Sequence, residues 1–184
     1  FGDLPLPMST DYQVNAVLPR IPAANVYEQI VTDLEAAIED LPAQQINSTR
    51  TRPNKWAAQA LLARVYLYLG RWEDAVTAAS GIIDNSDFTL GTNLESVFLT
   101  GSKETVWQLA LAGTSNSTSQ ATQFIPSSAS ARPTFSTTAS LWQSFETGDN
   151  RASAWLKTVI ISGETYHYPF KYKQRTGTTA SEYN

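Results

Sequence analysis

His167 is the only histidine in the sequence, and there is no cysteine. A structural or catalytic zinc site needs several imidazole or thiolate ligands, so a histidine-rich or thiolate metal site is excluded within this sequence, as are disulfides. Flanked by Tyr166 and Tyr168, His167 reads as a surface or packing residue. Glu146 and Asp149 come nearest to a pair of carboxylates placed for hydrolysis of a glycosidic bond, which requires two of them at a set separation. Asp149 is explained more simply as a partner of Arg151 or a cap on the turn. No Gly-x-Ser-x-Gly elbow occurs, and the glycine-containing stretch 101–104 lacks the spacing of a phosphate-binding loop. Asp33, Glu35, Glu39 and Asp40 fall mostly off an apolar stripe and read as a solvated face. Asn47 and Asn116 each open a glycosylation sequon, matched by chance in a bacterial chain. These residues assign no catalytic group, metal or cofactor.

The elements that position side chains are clearest between Arg52 and Asp84. From Trp56 to Leu69 nearly every residue is apolar or small, and the spacing is helical. Such a helix is expected to be buried on nearly all sides, with Pro53 in its first turn. Gly70 can end it in the left-handed C-cap conformation. Trp72 opens a second helix, whose inner face is read as Ala75, Ala78, Ala79, Ile82 and Ile83. Ala63, Tyr66, Gly70, Trp72 and Ala75 follow the order of small and aromatic residues in a tetratricopeptide hairpin. An ordinary antiparallel helix pair accounts for the same residues. A further helix runs from an N-cap at Asn25, boxed by Glu28, to about Leu41. Its stripe is Val26, Ile30, Leu34, Ile38 and Leu41, and Pro42 stops it.

The 184 residues allow one domain, or part of one, and the net charge of −4, without a basic run, gives no electrostatic case for nucleic acid. No apolar run reaches the length of a membrane span. Pro5, Pro7, Pro19 and Pro22 predict an extended segment over residues 1–24. After Asp84 the texture changes. Residues 104–111 alternate, with Trp107, Leu109 and Leu111 on one side, and predict a short strand. Residues 113–131 read as a long polar loop. Thr138–Phe145 is a short helix, Gly148–Arg151 a turn, Trp155–Ile161 extended or helical, and Tyr166–Lys173 alternates around Pro169. Core packing is the expected role of Trp56, Tyr66, Trp72 and Trp107, and a structural role that of Trp155. The fold class is therefore mostly α: a tetratricopeptide-like helical repeat body with long irregular insertions and a few short strands.

Four pieces resemble SusD/RagB proteins, the surface nutrient-binding lipoproteins of Bacteroidetes. They are FGDLPLP at residues 1–7, the RIPAANVYEQIVTDLEAAIEDLP helix at 20–42, the alanine-rich hairpin at 57–83, and the GDNR and FKYK landmarks at 148–151 and 170–173. The first three are specific in combination. The resemblance implies a single SusD-like domain over 1–184, incomplete at both ends, with a repeat core at 25–84 and an insertion-rich region at 85–184. It further implies an outer-membrane, lipid-anchored protein whose anchor lies outside this chain. Its implied partners are a SusC-like TonB-dependent transporter and an oligosaccharide.

A pyranose presents an apolar C–H face that an aromatic ring can cover, and hydroxyls that each add about 0.5–1.5 kcal/mol net when hydrogen-bonded. A sugar site therefore needs exposed aromatics beside planar polar side chains on a loop held by a scaffold. The stretch 120–142 fits best, and its candidates are Gln123, Phe124, Arg132, Phe135 and Trp142. The competing reading is that Phe124, Phe135 and Trp142 pin a long loop to the core. The function read from the sequence is non-catalytic capture of oligosaccharide and its delivery to the transporter. The alternatives are a protein-interaction scaffold that binds no glycan, and a glycoside hydrolase. Exposed aromatics between Gly113 and Trp142 favour the sugar, and a buried set favours the scaffold.

Overall fold

The structure is a computed structural model that describes residues 2–111 and 117–177. It forms two compact units, Phe1–Ile46 with Pro53–Ser86, and Asn47–Arg52 with Asp87–Asn184.

The first unit holds three helices in sequence, α2 (Ala23–Asp40), α3 (Lys55–Tyr68) and α4 (Trp72–Ile83), preceded by the short α1 (Tyr12–Ala16). Ile30, Val31, Leu34 and Ile38 recur at helical spacing and turn one face of α2 onto Leu62, Val65 and Tyr66 of α3. Ala78 of α4 closes the same core. The helices are mostly those the periodicity predicts, and consecutive packing of α2, α3 and α4 is compatible with tetratricopeptide-like units. Gly70 takes φ +71°, the left-handed value expected of it, and the Arg71 amide donates to the Tyr66 carbonyl at 2.9 Å across the turn.

Several local expectations change. Helix α2 begins at Ala23 behind Pro22, without a side-chain cap, so Asn25 lies inside the helix. Pro53 lies ahead of α3 and not in its first turn; the N-cap is Asn54, whose Oδ1 accepts from the Ala57 amide at 3.2 Å. Asn54 is 1 % exposed, and its amide also donates to the Ala43 carbonyl at 3.3 Å. Helix α3 is not buried all round. Leu61, Leu67 and Tyr68 are exposed, as are Trp72, Val76 and Ile83 of α4. With α2 and α4 against it, α3 keeps a side that no described element covers. The extended reading of residues 1–24 fails at α1, which Asp11 caps through bonds to the amides of Gln13 and Val14. An antiparallel bridge between Leu4 and Ile21 closes this segment.

The second unit is largely irregular, with α5 (Ser119–Phe124), α6 (Ala139–Gln143), α7 (Asn150–Trp155) and an antiparallel hairpin of β1 (Leu156–Ile161) and β2 (Glu164–Pro169). The hairpin turns on Ser162 (φ 53°) and Gly163 (φ 86°), both left-handed as a two-residue type I′ turn requires. Residues 104–111 form no strand. Gln108 is the buried residue there, while Trp107 and Leu109 face out. The reason is polar: the Gln108 side chain donates to the Thr49 carbonyl at 2.6 Å, and its amide donates to the Arg50 carbonyl at 3.1 Å. The stretch read as one long loop contains α5, capped by the fully buried Thr118 through the Ala121 amide. Of that reading, residues 113–116 lie outside the described residues.

Candidate functional site

Aromatic side chains gather in the second unit. Phe98 packs on Trp155 (ring centroids 5.5 Å apart) and on Tyr172 (5.4 Å). Trp155 ends α7 and donates its indole N–H to the Leu94 carbonyl at 3.0 Å. The hairpin is fastened to this group, because the Phe170 amide donates to the Trp155 carbonyl at 2.7 Å. Between these rings, α5 and α6 lies a cleft of about 580 Å³, bounded by Phe98, Phe124, Phe145 and Trp155 among others. Its polar lining includes Gln120, Thr137, Arg151 and Lys171. The Thr137 hydroxyl is buried and has no hydrogen-bond partner among the described residues.

The five candidates from the sequence fall into three places. Phe124, at the end of α5, lines the cleft, and the Phe135 ring meets it edge-on at 5.8 Å. Phe135 is 53 % exposed. Trp142, on α6, is 36 % exposed and stacks on His167 of β2, 3.6 Å between centroids and 5° between planes. The guanidinium of Arg132 lies over the Tyr166 ring at 4.8 Å. Gln123 is exposed on α5. Phe124 and Phe135 therefore meet one another, whereas Trp142 and Arg132 sit against successive residues of β2.

Asp149 takes both roles foreseen for it. It caps α7 through the Arg151 amide at 2.9 Å and pairs with the Arg151 guanidinium at 2.6 Å. These hydrogen bonds from Arg151 hold its carboxyl below the ordinary carboxylate range. A carboxylate kept ionised in this way is poorly suited to act as the general acid of a hydrolase. Among the described residues no group of three or more His, Cys, Asp or Glu side chains could hold a metal ion. No helix among them is long and apolar enough to cross a membrane.

Sequence reasoning did not find Phe98, Trp155 and Lys171 as neighbours around a cleft. They lie on a turn, a helix end and a strand exit that only the fold unites. The weak signal was the FKYK run, which alternates cationic and aromatic residues.

The chain thus joins a unit of three consecutively packed helices to an irregular, aromatic-rich unit. Residues 1–67 match the family model SusD-like_3, described as starch-binding and associating with the outer membrane. SusD-like protein P2 of Formosa agariphila is 28 % identical over 91 % of this chain and 37 % of its own length. A SusD-like protein of Bacteroides ovatus is 33 % identical over 46 % of this chain and 17 % of its own. Among solved structures, surface glycan-binding protein A from Bacteroides uniformis aligns over 100 % of this chain and 46 % of its own, at TM-score 0.75 and 18 % identity. The chain is thus similar to SusD-like proteins, in its first 67 residues by the family model and along 91 % of its length by the P2 relative, of which it spans 37 %.

Proposed function

We propose that the protein captures oligosaccharide at the outer-membrane surface without cleaving it and delivers it to a SusC-like TonB-dependent transporter. A lipid anchor on the whole protein would hold it there. The observation that carries the reading is the exposure of Phe135 and Trp142, at 53 % and 36 %, on a unit that also presents Gln123 and Arg132. Rings buried only to pin a loop would have their faces covered. These rings stay partly open, as stacking on the face of a pyranose requires. The family-model description, starch-binding and associating with the outer membrane, and the name of the Bacteroides uniformis glycan-binding protein support the glycan-binding, outer-membrane part of this reading.

The exposed apolar residues of α3 and α4, Tyr68, Trp72, Val76 and Ile83, favour a second use, contact with a partner chain. The two readings separate by calorimetric titration of the full-length protein against plant, host and microbial oligosaccharides, with Phe135→Ala and Trp142→Ala alongside. Capture predicts binding that either variant weakens about tenfold or more, a loss of about 1.4 kcal/mol, with the fold intact. Absence of binding to every oligosaccharide would leave the scaffold as the better account.

A further inference from the structure

We infer that the cleft of the second unit takes an acidic sugar, with a carboxylate or sulfate set against Lys171. This rests on the glycan-binding reading and specifies its ligand. Among the described residues the charged ones lining the cleft are Arg151 and Lys171, with no Asp or Glu, although the chain as a whole carries −4. Arg151 is already occupied in part, since Asp149 accepts from its Nε and Nη2. Lys171 differs. Its ammonium lies over the rings of Trp155 at 5.1 Å and Phe98 at 5.5 Å, and no carboxylate pairs with it among the described residues. Lys173, two residues on, is paired with Glu95 at 2.8 Å, so of the two it is Lys171, in the cleft, that has no carboxylate partner among the described residues.

This arrangement discriminates between ligands. A neutral pyranose stacking on the face of Phe98 or Trp155 that the ammonium covers would have to displace it, losing the cation–π attraction. An anionic sugar can leave it there and accept charge-assisted hydrogen bonds from it. Its C–H face is then free to meet Phe124 or Phe145. Nη1 of Arg151, which Asp149 leaves free, offers a second donor to the same anion.

The test is calorimetric titration of the full-length protein with trigalacturonate and its methyl ester, and with a sulfated galactose oligosaccharide and its desulfated form. Each is measured at low and high salt, on the wild type, Lys171→Gln and Lys171→Arg. The inference predicts that at least one acidic member binds about tenfold or more tighter than its neutral counterpart, and that salt erodes the difference. Lys171→Gln should abolish the preference and Lys171→Arg should keep most of it. Equal binding of acidic and neutral forms, or a preference untouched by Lys171→Gln, overturns the inference and leaves the glycan-binding reading standing. Failure of every oligosaccharide, charged or neutral, overturns both.

Discussion

The indole of Trp142 lies flat on the imidazole of His167, 3.6 Å between centroids and 5° from parallel. The stack ties α6 to β2 and covers one face of the tryptophan, so a ligand can use only the other. His167 is itself held by a 2.8 Å hydrogen bond between its Nδ1 and the Thr158 hydroxyl on β1. The imidazole is thus a backing plate for the one aromatic of α6. Aromatic pairs of this kind contribute about 0.5–1.5 kcal/mol beyond the area they bury. His167→Ala is expected to lower stability by about that amount and, with Trp142 no longer held, to weaken oligosaccharide binding as Trp142→Ala does. Paired measurements of Tm and affinity check it. A loss of stability with unchanged affinity would show that Trp142 only fastens the helix.

Asn54 predicts a larger loss than its exposed neighbours. It is buried, caps α3 and donates to the Ala43 carbonyl. That carbonyl keeps a second donor, the Trp56 indole at 2.9 Å, so the chief cost of Asn54→Ala is the cap. The expected destabilisation is about 1–2 kcal/mol, read as a lower urea midpoint at unchanged slope. A change below the error of the midpoint would mean that the cap is redundant.

Tyr66 carries a pH signature. Burial first, and then the hydrogen bond to Glu35 at 2.9 Å, raise its phenol above the ordinary value of 10.0. A group whose folded pKa is raised stabilises fully below its unfolded value and loses that contribution as pH climbs through the folded one. Wild type should therefore exceed Tyr66→Phe by about 1 kcal/mol near neutrality, the worth of one hydrogen bond. The advantage should shrink only above about pH 10. Denaturant unfolding of both proteins from pH 7 to 11 checks this. An advantage that grows with alkalinity would contradict it.

The hairpin invites a gain. Ser162 occupies a left-handed position, φ 53°, where an L-residue other than Asn or Gly is disfavoured. Ser162→Asn, giving the preferred Asn-Gly turn, should raise stability by a few tenths to about 1 kcal/mol. Thermal unfolding measures it, and a lower Tm would show that the serine makes a contact worth more than the strain.

The helical core was legible because its signal is local. Ile30, Val31, Leu34 and Ile38 repeat at the helical period, and Gly70 marks the one stop that needs a left-handed residue. Exposure was not legible. Trp72, Ile83 and Leu61 look like core residues by type, yet a helix face is buried only if another element reaches it, and no spacing shows that. Pro53 drew the helix start two residues too early, since the buried amide of Asn54 shows its value only when Ala43 is seen opposite. Helix α5 was hidden by its polar sequence, because its stability comes from Thr118 and Ala121 being enclosed by the fold. The candidate cleft was the least legible part. Phe98, Trp155 and Lys171 lie far apart in the sequence, and no stretch alone places them around one space.

The most direct test of the central claim is a crystal structure of the full-length protein with an oligosaccharide it binds in solution. The account predicts sugar rings against the aromatic residues of the second unit, at Phe124 and Phe135, at the free face of Trp142, or within the cleft beside Lys171. Sugar bound only to surfaces outside that unit, with these rings unchanged, would contradict it.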